Sequence, residues 1–230
     1  MPLRLAALVP HGSGRNDDLG PIYGMGNQIV LSLCDLTGHA VRLWADAGYE
    51  CWTVDIRHPV GIGPLEDNVR KVGADVLRFV PPLNRGVRFV FAFPPCTDLA
   101  VSGASHFKRK GLDRLADALR VVAACDRICE ASNAPYLLEN PVSTLSTYWR
   151  KPDYLFDPCD YAGYLDDPAP ESYTKRTCLW TGGGFVMPPV QAVEPVMGSW
   201  IVKLSPGPER ATIRSATPLG FSRAVFEANQ

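Results

Sequence analysis

Cys96 follows two prolines, in Phe93-Pro94-Pro95-Cys96, at the end of the apolar run Val87-Arg88-Phe89-Val90-Phe91-Ala92. Proline fixes φ and donates no hydrogen bond, so a strand over this run has to stop there. The thiol then sits on a rigid turn beyond the carboxyl end of a buried strand, where open α/β sheets bind their ligands. That placement suits a nucleophile, whereas an isolated cysteine is ordinarily a buried, inert thiol. Glu139-Asn140-Pro141 closes a second short apolar run, Ala134-Pro135-Tyr136-Leu137-Leu138. A carboxyl at a strand end beside proline is fixed in place, and partial burial raises its pKa. A protonated Glu139 can donate a hydrogen bond to a ring nitrogen; the alternative role is a turn or capping carboxylate. A thiolate with an acid nearby is the equipment for adding a nucleophile across a polarised double bond. Lys175-Arg176-Thr177 precedes another short apolar segment. Clustered cations hold phosphate or lower a thiol pKa, and singly they also occur as a solvated turn.

These groups need elements to gather them. Gln28 to Leu33 reads as a first strand, Ala40 to Ala47 as a helix with Gly48 as its stop, and Tyr49 to Ile56 as a second strand. Asp75 to Phe79 is a weaker strand candidate, and Phe89 to Phe93 and Ala134 to Leu138 are stronger ones. Leu112, Leu115, Leu119, Val122 and Ile128 recur at helical spacing and predict a helix over Leu112 to Ser132. Alternating strands and helices predict an α/β fold, a Rossmann-like, doubly wound and mostly parallel sheet. Asp35, Asp55, Cys96 and Glu139 then all fall at strand ends. An acid after the second strand ordinarily hydrogen-bonds the ribose of a nucleotide-type cofactor; many solvated strand-end acids do nothing of the kind.

The organisation expected is an N-terminal arm over 1–27, a core over 28–143, a loop-rich segment over 144–208, and a C-terminal part over 209–230 that packs back on the core. In the last of these, Pro218 to Ala228 predicts a helix with Phe221, Val225 and Phe226 facing inward. Within the loop-rich segment, Tyr148, Trp149, Arg150 and Lys151 mix aromatics with cations, which suits base stacking and phosphate contact as well as a packed loop. A formal net charge of -1 gives no overall basic field, so any nucleic-acid contact must come from a local patch. The seven cysteines are scattered, odd in number and without a C-x-x-C pair, which argues against a zinc site and for a reducing cytoplasm. There is no membrane-length apolar run.

Taken together, Phe93-Pro94-Pro95-Cys96, Glu139-Asn140-Pro141 and Lys175-Arg176-Thr177 resemble, in order and spacing, the motifs of DNA cytosine-5 methyltransferases, more narrowly their short phage- and prophage-type members. The resemblance runs from about residue 29 to 181. It implies the fold of S-adenosylmethionine-dependent methyltransferases, S-adenosyl-L-methionine as cofactor and DNA as partner, with no metal, no membrane and a monomeric chain. Cys96 would attack carbon 6 of a flipped-out cytosine. Glu139 would hold N3 and the exocyclic amine, and Arg176, with Lys175 as a further candidate, would contact the base or its phosphate. The cofactor would lie on Asp35, Leu36, Thr37, Gly38, Asp55, Ile56, Asp75, Val76 and Pro94. Ser102, Lys108, Asn140, Lys175 and Arg176 would face the substrate, with Ala100 to Gly111 a loop able to close over the base.

The chain departs from the family where Leu36 and His39 replace glycines, where Thr97 follows the cysteine, and in lacking room for a separate target-recognition domain. RNA or a free nucleotide is an alternative substrate. A relative that binds nucleic acid or cofactor without turnover is an alternative function. An amino-directed DNA methylase also uses Pro-Pro after a strand, but without a thiol.

Overall fold

A computed structural model describes residues 28–205, 207 and 210–230. The expected arm over 1–27 lies outside the described residues. One seven-stranded sheet organises the chain: β1 (Ile29–Leu33), β2 (Glu50–Glu66), β3 (Val69–Gly73), β4 (Val87–Ala92), β5 (Tyr136–Pro141), β6 (Tyr154–Phe156) and β7 (Thr177–Gly182), in the order β3-β2-β1-β4-β5-β7-β6. The helices are α1 (Arg42–Asp46), α2 (Phe107–Ala131), α3 (Leu145–Tyr148), α4 (Arg210–Ser215) and α5 (Leu219–Asn229). β1 pairs parallel with both β2 and β4, and β4 pairs parallel with β5. The chain therefore reverses its direction of travel across the sheet between β1 and β4, the switch point at which doubly wound sheets open a crevice. β7 is antiparallel to both β5 and β6. The loop-rich segment thus supplies two strands of the sheet itself.

Successive residues of the central strands go to opposite faces, and both faces are covered. Ile29, Leu31 and Leu33 pack with Val90, Leu138, Trp180 and the Val122, Cys125 and Ile128 side chains of α2. Val30 packs on the other face with Trp44 of α1, Phe89, Phe91, Leu137 and the Phe221 and Val225 side chains of α5. Five consecutive buried residues in β1 are the expected mark of a strand covered on both sides. α5 is docked by Phe221 stacked on Phe156 at 4.0 Å between ring centres, and by Glu171, whose carboxylate accepts from the Leu219 and Gly220 backbone N–H groups. Those donors are orphans of the helix's first turn, so an acceptor there also favours the helix dipole.

Two regions differ from the sequence expectation. Asp75 to Phe79 is a turn rather than a strand: Asp75 Oδ1 accepts from Leu77 N at 3.0 Å, and the Asp75 carbonyl accepts from Arg78 N and Phe79 N. A side chain that hydrogen-bonds two residues ahead stabilises such a turn against an extended run. The strand lies just before it, as β3. β2 in turn runs past Asp55. Cys51 to Asp55 pair with Val69 to Gly73, after which Val60 to Glu66 fold back over the same strand, Val60 opposite Gly73 and Glu66 opposite Val69. Asp67 and Asn68, at φ 46° and 61°, make the tight turn between β2 and β3.

The end of the sheet opposite the crevice is tied by Glu50. Its carboxylate takes both Arg85 guanidinium N–H groups at 2.8 Å, Arg70 Nε at 2.7 Å and Trp52 Nε1 at 2.8 Å. These partners, Arg85 foremost, hold its pKa down to about 2. A carboxyl depressed on folding stabilises the fold above its unfolded pKa of about 4.3 and loses that contribution as pH falls toward its folded value. Replacing Glu50 by Gln is expected to cost about 2 kcal/mol at pH 7, below the cost of breaking a fully buried pair because water still reaches the site. Urea midpoints of the two proteins should converge as pH falls from about 4.3 to about 2.

Candidate active site

The carboxyl ends of β4 and β5 are held together by the backbone around Cys96. Ala92 lies opposite Leu138 in parallel register, so the continuation of β4 runs beside Glu139 and Asn140. Asn140, 1% exposed, donates from Nδ2 to the Pro94 carbonyl at 2.9 Å. Beyond Cys96 the chain turns, with Leu99 N and Ala100 N both donating to the Cys96 carbonyl. It then runs antiparallel to the continuation of β5: Val101 N donates to Val142 O, Thr144 N to Leu99 O, and Ala100 bridges Ser143. Cys96 is thus bracketed by two clamps to the strand that carries Glu139. The prolines supply rigidity, but register against β5 supplies the aim. Asn140 was expected against the substrate; its amide instead fastens the cysteine turn.

Asn140→Ala would leave a buried carbonyl without its donor, costing about 1–3 kcal/mol. Asn140→Asp should cost more, since it sets a carboxylate against that carbonyl. A urea midpoint for Asn140→Asp above that of Asn140→Ala would show that the clamp does not hold this turn.

The charge of Glu139 acts on Cys96. Burial above all, then the charge of Glu139, push the Cys96 thiol up, while Lys175 and Arg214 pull it back. Burial likewise pushes the Glu139 carboxyl up, against the opposing charge of Lys175. Lys175 comes to this edge because β7 is antiparallel to β5: its beginning, not its end, lies beside Pro141, with Thr177 opposite that residue. Arg176 is not part of the group. Its Nη2 lies 3.2 Å from Asp157 Oδ2 and its side chain is otherwise largely exposed. Of the two cations it is Lys175 whose charge acts on both the thiol and the carboxyl. Arg214, on α4, was not singled out from sequence: nothing in the short run Arg210–Ser215 marks it as a neighbour of residues more than seventy positions earlier.

At the crevice between β1 and β4, the turn out of β1 is made by Cys34 at φ 57° and closed by Asp35. Asp35 is 7% exposed; Oδ2 accepts from Ser32 Oγ, and Oδ1 accepts from Thr37 N, Thr37 Oγ1 and Gly38 N. Its carboxylate organises the Leu36-Thr37-Gly38 loop from within. Gly38 has φ 69°, a conformation that favours glycine, and a Cβ there would meet Thr53 Cγ2 at a tight 3.3 Å. His58, buried, spans the ends of the first two strands, its Nε2 lying 3.3 Å from Asp35 O and 3.4 Å from Thr53 Oγ1. It went unremarked in the sequence because residues 57–66 carried no recognisable pattern. Asp55, also 7% exposed, accepts from Arg57 N and Arg57 Nε through Oδ1, and the next side chain, Ile56, is 72% exposed. Pro94 is buried. Val76 belongs to the core cluster around Ile29 and Leu31, so its side chain is not available to a ligand. Asp75 caps its own turn.

Ala100 to Gly111 is not an open loop. Val101–His106, which includes Ser102, is 3-10 helical; Phe107 to Lys110 is one further turn, and the chain kinks at Gly111 (φ 79°, ψ 175°) into the long part of α2. The expected start of the helix at Leu112 falls on that kink. Lys110 Nζ is bound to Thr97 O at 2.6 Å and Asp98 Oδ1 at 2.8 Å, which folds the turn back against the residues that follow Cys96. Lys108 is exposed. It borders a cavity of about 340 Å³ between the first turns of α2 and the segment Thr144 to Tyr148. A smaller one, about 170 Å³, reaches from there to Pro95. Among the described residues no group of three or more His, Cys, Asp or Glu is placed to hold a metal ion, and no helix is long and apolar enough to cross a membrane.

No protein-family model matches this chain, and no curated protein matches it.

Proposed function

We propose that the chain transfers a methyl group from S-adenosylmethionine to carbon 5 of cytosine in DNA, through a covalent adduct on Cys96. The observation that carries this reading is the convergence of Cys96, Glu139 and Lys175 where β4, β5 and β7 meet, one strand away from the β1/β4 crevice. A carboxyl raised by burial can hold a proton to donate toward N3, and the thiol beside it can add to carbon 6, the two groups that this addition requires.

The crevice residues fit the cofactor. Asp55 offers a hydroxyl acceptor beside the exposed aliphatic face of Ile56, and the loop Leu36 to Gly38, held by Asp35, presents backbone close to the strand ends. Pro94 would form the floor. When bound there, S-adenosylmethionine supplies an electrophilic methyl group to carbon 5. The chain's own part is to make that carbon electron-rich. A cytosine turned out of its duplex presents carbon 6 to the Cys96 sulfur. As the S–C6 bond forms, the ring's electron pair moves toward N3 and carbon 5, and Glu139, protonated, hydrogen-bonds N3 and so stabilises that charge. Lys175 offsets the negative charge shared by sulfur and carboxyl. Loss of the carbon 5 proton to a water molecule then reforms the C5–C6 double bond, and the C6–S electron pair leaves on sulfur, freeing Cys96 as a thiolate.

The raised thiol pKa favours one other reading, a relative that binds cofactor or nucleic acid without turnover, since a resting thiol is a poor nucleophile. Transfer of tritium from labelled S-adenosylmethionine into DNA separates the two. Label in carbon 5 of cytosine supports the methyltransferase; cofactor binding without label supports the non-catalytic relative; label on an exocyclic amine points to an amino methylase.

A further inference from the structure

We propose that the cavity between α2 and α3 holds one nucleotide of the DNA strand beside the flipped cytosine, and so serves as a recognition pocket; this rests on the function proposed above. The cavity, about 340 Å³, is at the low end of the range for small-molecule sites and suits a single base with its phosphate. Its wall carries both kinds of group a nucleic-acid strand needs. Phe107 and Tyr148 offer ring faces, and Tyr148 is 60% exposed, unlike Trp149 next to it, which is stacked on Trp180. Lys108 and Arg114 stand on the rim, both exposed, and among the described residues neither is in an ion pair. Lys110, by contrast, is spent on Asp98.

Thr144, also in the wall, leaves its hydroxyl without a hydrogen-bond partner. The location matters as much as the lining. Asp98 borders the cavity and lies two residues after Cys96, a span of at most about 7 Å of chain. The smaller cavity, lined by Pro95, Asp98 and Arg114, continues from there toward the nucleophile. A strand whose target base reaches Cys96 therefore has its neighbouring nucleotide at this opening. Aromatic faces for stacking with unpaired cations for phosphate are the means by which strands are held without groove readout.

The test measures binding of fluorescent single-stranded DNA, duplex DNA and RNA of one sequence to the full chain with S-adenosylhomocysteine present. It compares wild type with Tyr148→Ala, Arg114→Ala and, as a control on the far face, Arg42→Ala. Tyr148→Ala should weaken DNA binding roughly tenfold or more with its salt dependence unchanged. Arg114→Ala should weaken it and reduce the slope of log K against log salt by about 0.7–0.9. Arg42→Ala should bind as wild type, and all variants should melt as wild type. DNA carrying 5-iodouracil next to the target cytosine should photocrosslink to Tyr148. Wild-type affinity in both pocket variants, with crosslinks elsewhere, overturns the pocket. Methyl transfer to DNA is measured in parallel. If it persists while the pocket variants bind normally, the pocket alone falls. If transfer is nil while the pocket variants lose affinity, the pocket stands and the assigned reaction falls. Tighter RNA binding with the same sensitivity keeps the pocket and reassigns the strand.

Discussion

Duplex DNA carrying 5-fluorocytosine is expected to become covalently attached to the chain in the presence of S-adenosylmethionine, and the attachment should map to the sulfur of Cys96. The reaction as proposed ends by removing the carbon 5 proton, which drives the thiol out. Fluorine at carbon 5 cannot leave as a cation, so addition and methyl transfer proceed but elimination does not, and the C6–S bond persists. A band of protein plus DNA on a denaturing gel, and a modified Cys96 peptide, are the readouts. Cys96→Ser should form no adduct, and its methyl transfer should fall by on the order of 10⁴-fold or more, as happens when a covalent nucleophile is removed. A serine hydroxyl is far less acidic than a thiol, so it supplies no nucleophile in surroundings that push even the Cys96 thiol up. Cys34, the other cysteine that is not fully buried, serves as the control: Cys34→Ser should still be trapped. An adduct on any residue other than Cys96, or trapping that survives Cys96→Ser, would end the covalent reading.

What the sequence revealed of this arrangement divides along physical lines. Strands covered on both faces announce themselves as short apolar runs, so β1, β4 and β5 were legible, and with them the strand-end positions of Cys96 and Glu139. The periodicity of Leu112 to Ile128 gave the long part of α2, but not the turn Phe107 to Lys110 that precedes the kink at Gly111. Features set by local hydrogen bonding were not legible. Asp75 could extend a strand or cap a turn, and its side chain chose the turn. The β2–β3 ribbon carries exposed, mixed side chains and so no clean alternation, although Asp67-Asn68 with both φ positive was a hairpin signal that could have been used. The choice between Lys175 and Arg176 could not be made from composition, because it depends on Asp157 being present to take the arginine. The same holds for Asn140: its neighbour's carboxyl was recognised, but its role depends on a carbonyl 46 residues away in the chain.

Glu139→Gln should move two observables in opposite directions. Methyl transfer should fall by about 10²–10⁴-fold, the usual contribution of a positioned general acid, because an amide offers N3 a weaker hydrogen bond and no proton. The reactivity of Cys96 toward iodoacetamide should rise. The carboxylate is one of the groups that push the thiol up, so an uncharged side chain of the same shape relieves that repulsion and leaves burial opposed by Lys175 and Arg214. The pH midpoint for alkylation should therefore shift down in Glu139→Gln, and in Lys175→Met, where an opposing cation is lost, it should shift up. The same coupling sets the pH dependence of the wild-type reaction. Both pKa values are raised, and the reactive arrangement of the singly protonated pair places its proton on the carboxyl and the charge on sulfur. Only a fraction of the singly protonated molecules are so arranged, and binding a base whose N3 accepts from Glu139 increases that fraction. Thiol and acid are then activated by the substrate rather than at rest, which is why a high resting pKa at Cys96 is compatible with turnover. If Glu139→Gln lowers transfer but leaves the alkylation midpoint where it was, Glu139 and Cys96 do not share a charge environment, and the proton-sharing account is wrong even if the enzyme methylates DNA.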